Sequence, residues 1–339
     1  MDEIQDQLFI LVGALVCLNY LLKCVRFSKY FFLRLWNPLP KSFFRSMGEW
    51  AVITGAGDGI GKAYSYELAK HGLNIVMISR TLEKLQTVAK GIEQTTGSHV
   101  KIIQADFTKD DIYENIKESL QGLEIGILVN NVGMVHNYLP SHFLSGPDKI
   151  QNLIHCNISS VVKMTRLILR DMEIRRKGLI LNISSGAGRF PWPLYSLYSS
   201  TKAFVCTFSK ALQAEYKEKG IIIQVVTPYS ISTSMTKHIN PNIITKTADE
   251  FVKESLDFVA VGDETCGCLA HEILAHLLDL IPSWVIYSDL VQNIFLTSCT
   301  NYLKQNSNIQ EVTLEEEEEV NGYTQQYHSW WLPEDQQKP

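Results

Sequence analysis

Tyr198 and Lys202 stand four residues apart, and Ser185 precedes the tyrosine by thirteen. In a helix that spacing puts the phenol and the amine on one face. An ammonium beside a phenol favours the phenolate, which draws the tyrosine below its ordinary value of ~10. A phenol tuned this way gives a proton to a ketone oxygen near neutral pH and takes one back in the reverse direction. Ser185 is placed to donate a hydrogen bond to the same oxygen and stabilise the charge that grows there. Asn157 falls in a long helical stretch that its side chain is expected to bend, holding a water that relays protons to Lys202.

A proton donor for a carbonyl needs a hydride donor, and the chain has a turn fit to hold one. Thr54-Gly55-Ala56-Gly57-Asp58-Gly59-Ile60-Gly61 lies between an apolar run and an amphipathic stretch. Glycines there permit a tight turn and let backbone approach a pyrophosphate, while the helix amino terminus contributes partial positive charge. After the second strand an NAD enzyme carries an acid for the ribose hydroxyls. Here that place is Ser79-Arg80. An acid repels a 2′-phosphate and a guanidinium pairs with it, so NADPH/NADP+ is the expected cofactor. Asp106 is placed to accept from the adenine amino group, and Asn131 and Gly133 to support the sheet end beside the cofactor. Asp106 and the Asn130–Gly133 segment fit loop capping equally well.

These groups need a scaffold that brings strand ends together. From Trp50 onward short apolar runs alternate with amphipathic stretches, the pattern of βαβ units and a parallel sheet. Strands are expected at 50–54, 74–79, 100–105, 125–130, 178–183 and 221–227, and helices at 60–70, 82–95, 111–120, 148–173 and 196–219. Six such strands make a Rossmann-like doubly wound sheet that binds ligands at the strand carboxyl ends. Beyond Thr247 helices are expected at 248–258 and 263–280. An apolar piece at 281–296 then either caps a substrate cleft or lies against a membrane.

TGAGDGIG, NNVG, Ser185 and YSSTK resemble the short-chain dehydrogenase/reductase family over about residues 48 to 280. Longer stretches, among them KSFFRSMGEWAVITGAGDGIGKAYSYELAK and LEIGILVNNVGM, resemble its 17-ketosteroid-reducing branch nearly word for word. The resemblance implies NADPH-dependent reduction of a 17-ketosteroid to the 17β-alcohol, androstenedione to testosterone, at the endoplasmic reticulum membrane. It carries over Ser185, Tyr198, Lys202 and Asn157 as the family's tetrad, and implies cofactor contacts at Pro228 and Thr233 and a possible homodimer. The family's Pro-Gly after the sixth strand reads Pro228-Tyr229 here, which implies a bulkier nicotinamide side. A rigid steroid needs flat aromatic walls, and Phe190, Trp192, Tyr195, Tyr229 and Met235 are the candidates. A 3-ketoacyl-CoA reductase shares the expected fold and anchor, but calls for a CoA phosphate site and often a dilysine terminus, whereas the chain ends Gln336-Gln337-Lys338-Pro339. A catalytically silent membrane scaffold is the remaining reading, and the intact Ser185, Tyr198 and Lys202 argue against it.

Composition bounds the rest. The 339 residues are 45% hydrophobic, enough for a substantial core. Much of the net charge of -5 lies in Glu315–Glu319, so no basic surface for nucleic acid is expected. Seven cysteines without paired spacing point to packed thiols in a reducing compartment, with no metal site. The apolar run 8–22 is preceded by acids and followed by Lys23, Arg26 and Lys29. Fifteen helical residues reach about 22 Å, short of the ~30 Å hydrocarbon core, so spanning must borrow from the aromatic flank. Positive charge after the run disfavours a cleaved leader and keeps the following domain cytosolic. A buried helix packed on the domain is the alternative. The sequons at Asn157 and Asn182 fall in core motifs, which also suits a cytosolic face. The organisation is thus an anchor and linker at 1–47, a catalytic domain with a helical cap at 48–305, and a disordered acidic tail at 306–339.

Overall fold

Strands with no polar face need cover on both sides, and β4 and β5 below are buried along their whole length. The computed structural model describes residues 2–36, 39–40, 42–137, 140–145 and 148–306. The acidic tail falls outside them, apart from Asn306. In chain order the elements are α1 (Asp2–Trp36), α2 (Phe43–Met47), β1 (Trp50–Thr54), α3 (Gly59–Lys70), β2 (Asn74–Ser79), α4 (Leu82–Thr96), β3 (Val100–Gln104), α5 (Tyr113–Leu120) and β4 (Ile125–Asn130). There follow α6 (Ile150–Ile154), α7 (Ser160–Arg175), β5 (Gly178–Ile183), α8 (Ser196–Tyr216), β6 (Ile221–Val226), β7 (Ile231–Ser232) and β8 (Lys246–Thr247). The last are α9 (Ala248–Asp257), β9 (Glu264–Thr265), α10 (Leu269–Leu278), α11 (Ser283–Ile286) and α12 (Asp289–Asn306).

The sheet runs β3-β2-β1-β4-β5-β6-β9 and every pairing in it is parallel. Alternate residues of each strand supply two cores. On one face Ile53, Met77, Val129 and Leu181 meet Leu68 of α3, Val88 of α4 and Phe251 of α9. On the other Val52, Ile78, Leu128 and Ile180 meet Ile116 of α5 and Met164 and Ile168 of α7. Strand order reverses between β1 and β4, which opens the crevice that doubly wound sheets use for ligands.

Three elements depart from the sequence reading. The helix expected at 148–173 is divided: α6 gives way to a π-turn at His155–Ser159 before α7 begins. The helix expected at 263–280 starts late, because Glu264 and Thr265 pair with Val225 and Val226 as a seventh strand. Cys266 and Cys268 therefore sit in the strand-to-helix connection, both fully buried, as packed thiols. The apolar piece at 281–296 is mostly α11 and the first half of α12.

The amino-terminal helix α1 is continuous over 35 residues, and its segment Ile4–Leu22 is long and apolar enough to cross a membrane, with none of that segment buried. It does not pack on the domain as a covered helix. The junction is different: Phe44 and Met47 of α2 are buried in the core. Just beyond, Gly48 lies so close to Gly126 that a Cβ on Gly48 would stand 2.7 Å from the Gly126 Cα.

Candidate active site

Each part of the site hangs from a strand end. After β1, Gly55 adopts φ +67°, and Gly61 approaches the Gly55 carbonyl so closely that a side chain there would overlap it. Asn131, after β4, pins this turn from across the crevice. Its amide nitrogen donates to the Thr54 carbonyl at 3.0 Å and the Gly55 carbonyl at 3.3 Å. The backbone N–H groups of Asn131 and Val132 both donate to Thr54 Oγ1, each at 3.0 Å. Thr54 and Asn131 thus shape the cradle. The first-turn N–H groups of α3, Ile60 and Gly61 among them, form its donor end.

Asp58 caps α3 by accepting from Gly59 N at 2.7 Å, and it also accepts from Lys84 Nζ at 2.7 Å and Ser234 Oγ at 2.6 Å. Partial burial pushes its carboxyl up, but these three donors outweigh that and hold it at about 2. The Ser234 bond ties the glycine turn to the segment after β7, where Thr233 lies beside Gly59 and Met235 is exposed. Sequence reading found Asp58 but not Lys84 or Ser234, because a contact across 26 or 176 residues leaves no local pattern. Beside Gly57 lies the Ser79 hydroxyl, and Arg80 is exposed at the β2 end. Asp106 turns one carboxylate oxygen inward as a loop cap, accepting from Thr108 N at 3.0 Å and Thr108 Oγ1 at 2.9 Å.

Ser185 follows β5, its hydroxyl accepts from Ala187 N at 3.2 Å, and it lies near enough to the Tyr198 phenol to influence its ionisation. Lys202 Nζ stands 5.8 Å from the Tyr198 ring centroid and donates to Ile183 O at 3.2 Å. Tyr198 is half-buried as a residue with its hydroxyl end enclosed. Enclosure raises its pKa, against a lowering by Ser185. In this site burial, rather than the amine, sets the direction of the phenol, and burial brings Lys202 itself down to about 8. Asn157 is buried on the π-turn. Its oxygen accepts from Met134 N at 2.8 Å and its nitrogen donates to Met134 O at 2.9 Å and Thr201 Oγ1 at 3.0 Å. The side chain joins the β4 loop to α8, and the bend expected of it is a π-turn. Gly133 leaves room there for Lys202 Nζ.

Beside the tyrosine stands an aromatic wall. Tyr195 packs edge-on against Tyr198 at 6.4 Å, His136 at 6.0 Å and Phe295 at 6.3 Å, and Trp192 meets Phe295 at 5.9 Å. His136 and Phe295 were missed as individual residues. Phe190 is half-buried, with its carbonyl accepting from Ser199 Oγ. Tyr229 does not join the wall: its ring lies against Gly186 and edge-on to His271, and Pro228 O accepts from Gly186 N at 2.8 Å. Leu194, Leu296, His142, Asp289, Gln292 and Asn293 line an open cavity of about 290 Å³ next to the wall. Among the described residues no cluster has the makings of a metal site.

The short chain dehydrogenase family profile matches residues 49–244. The chain belongs to that family. As a short-chain dehydrogenase it is an oxidoreductase with a nicotinamide-binding fold. It is 70% identical to the human 17-beta-hydroxysteroid dehydrogenase type 3 over 309 residues, covering 91% of this chain and 100% of the relative. The human very-long-chain 3-oxoacyl-CoA reductase is further away, at 43% identity over 84% of this chain and 92% of its own. Among solved structures, a 7beta-hydroxysteroid dehydrogenase superposes with a TM-score of 0.64 at 25% identity, covering 70% of this chain and 94% of its own. A short-chain dehydrogenase from Sphingobium yanoikuyae in complex with NADPH gives 0.60 at 27% identity, covering 69% and 96%.

Proposed function

We propose that this short-chain dehydrogenase reduces 17-ketosteroids to 17β-hydroxysteroids with NADPH, androstenedione to testosterone being the reaction in view. The observation that carries the chemistry is Lys202 Nζ 5.8 Å from the Tyr198 ring on the same helix face, with Ser185 just after β5 near enough to influence the phenol. The identity to the human relative, over nearly all of this chain, carries the substrate class. The cradle suits a dinucleotide: side chains at Gly55 and Gly61 would collide with Asn131 and the Gly55 carbonyl, so the turn stays tight and presents bare backbone N–H groups to a pyrophosphate. Gly55 to Gly61 would hold the pyrophosphate, and Ser79 and Arg80 the phosphorylated ribose. Nicotinamide, when bound, supplies the hydride.

Within that reading Ser185 donates to the ketone oxygen as it gains charge, and Tyr198 transfers its proton to the same oxygen. A phenol kept protonated by burial is suited to donate. Lys202, brought down to about 8 by burial, stands beside the phenol to return the proton it gives up. Asn157 positions Lys202 by fixing the Met134 backbone against Thr201. Trp192, Tyr195 and Phe295 offer the steroid a flat wall. The chain is anchored by α1 at the endoplasmic reticulum, with the basic residues after the apolar segment and the catalytic domain on the cytosolic side. The test is turnover of androstenedione beside a 3-ketoacyl-CoA by the membrane-reconstituted protein. Preference for the acyl-CoA would replace this reading with the second.

A further inference from the structure

Helices α10 to α12 form a two-sided band. Its inner side belongs to the site: Phe295 packs on Trp192 and Tyr195, and Leu296 lines the cavity with Leu194. Its outer side is apolar and uncovered. Leu277, Leu280, Trp284, Leu290 and Ile294 are all exposed, Trp284 at 74% and Leu290 at 70%. Across the cavity mouth, beside His142, stand Phe143 and Leu144, the latter 82% exposed. Apolar surface of this extent marks an interaction site.

We propose that this band is a second membrane contact, lying on the bilayer to which α1 anchors the chain, so that the cavity mouth opens onto lipid. Four observations favour lipid as the occupant. The wholly unburied Ile4–Leu22 segment holds a bilayer within reach. No lysine or arginine occurs between Lys253 and Lys304, so the band offers nothing to an acidic protein or to anionic headgroups and suits an uncharged boundary. The three acids within it face elsewhere: Glu272 is buried and accepts from Thr265 Oγ1 at 3.1 Å, Asp279 pairs with Arg189 at 3.4 Å, and Asp289 lines the cavity. Trp284 and Tyr287, exposed between α10 and α12, have the apolar body and polar tip that settle at a membrane interface. An apolar ketone dissolved in the bilayer then reaches the aromatic wall without crossing water.

The inference rests on α1 as an anchor and not on the identity of the substrate. Full-length protein grown with photo-leucine is reconstituted in phosphatidylcholine vesicles, irradiated and mapped by mass spectrometry. Lipid adducts are expected on peptides covering 273–294 as well as on those from α1, with a yield unchanged in 1 M salt, since no basic residue contributes. Adducts from 273–294 to a second copy, or to residues 307–339 of the same chain, would overturn the proposal, as would α1 peptides carrying lipid while 273–294 carry none. If neither stretch carries lipid, the anchor reading falls with it. None of these outcomes depends on turnover, so a wrong steroid assignment leaves the result standing. Leu290→Glu with Ile294→Glu is expected to raise the apparent KM for androstenedione in vesicles severalfold and to leave kcat unchanged.

Discussion

A phenol without its hydroxyl keeps nearly all its packing and loses only the proton, so Tyr198→Phe isolates the acid. Turnover of androstenedione is expected to fall by about 10²–10⁴, the range of a general acid, at an unchanged melting temperature. Lys202 makes a separate prediction through stability. Folded, it loses its proton near 8; unfolded, near the ordinary lysine value of 10.5. Between those values the unfolded chain binds more protons, so this group's contribution favours folding more as pH rises through the window. Lys202→Met is therefore expected to stabilise the protein at pH 7, on the order of 3 kcal/mol at most. That advantage shrinks to nothing by about pH 11, as denaturant titrations at several pH values will read. At the cofactor's ribose end, Arg80→Gln is expected to cut the preference for NADPH over NADH by tenfold or more in measured dissociation constants. All these residues were legible because their spacing is local. Their ionisation was not, since it is set by enclosure, and enclosure is a property of the assembled crevice.

Elements that obey one simple period were read to within a residue or two: β1, β2, β4 and β5 begin and end where expected. A bend at Asn157 was legible, but its form as a π-turn at His155–Ser159 was not, because the hydrophobic pattern continues through it. It also concentrates polar duties on Asn157, whose three bonds tie the β4 loop to α8. Asn157→Ala strands the buried Met134 N–H and carbonyl, and a loss of about 1–3 kcal/mol is expected by thermal or urea unfolding. Asn157→Asp keeps the acceptor for Met134 N but sets a buried carboxylate oxygen against the Met134 carbonyl, so a loss at least as large should follow. The seventh strand was missed for a related reason. Two residues that pair at a sheet edge leave no alternation to read. The Glu264 carboxylate binds Arg189 and Lys210, joining the segment after Ser185 to the sheet edge.

For the molecule as a whole, both sequon asparagines are committed to the interior. Asn157 serves Met134, and Asn182 accepts from Asn130 at 2.8 Å while donating to Ser209 at 2.8 Å. Neither can carry a sugar in the folded state, and endoglycosidase treatment of protein made in eukaryotic cells is expected to leave its electrophoretic mobility unchanged. Helix α1 was legible as an apolar run, but the way the chain enters the domain was not. Because α2 is sunk into the core and Gly48 is locked against Gly126, the chain enters the catalytic body at a fixed point beside β4. With α1 in a bilayer as proposed, that fixed entry keeps the body close to the lipid and raises the local concentration of its surface there. Even a feeble adhesive patch, useless to a freely diffusing protein, would then spend most of its time attached.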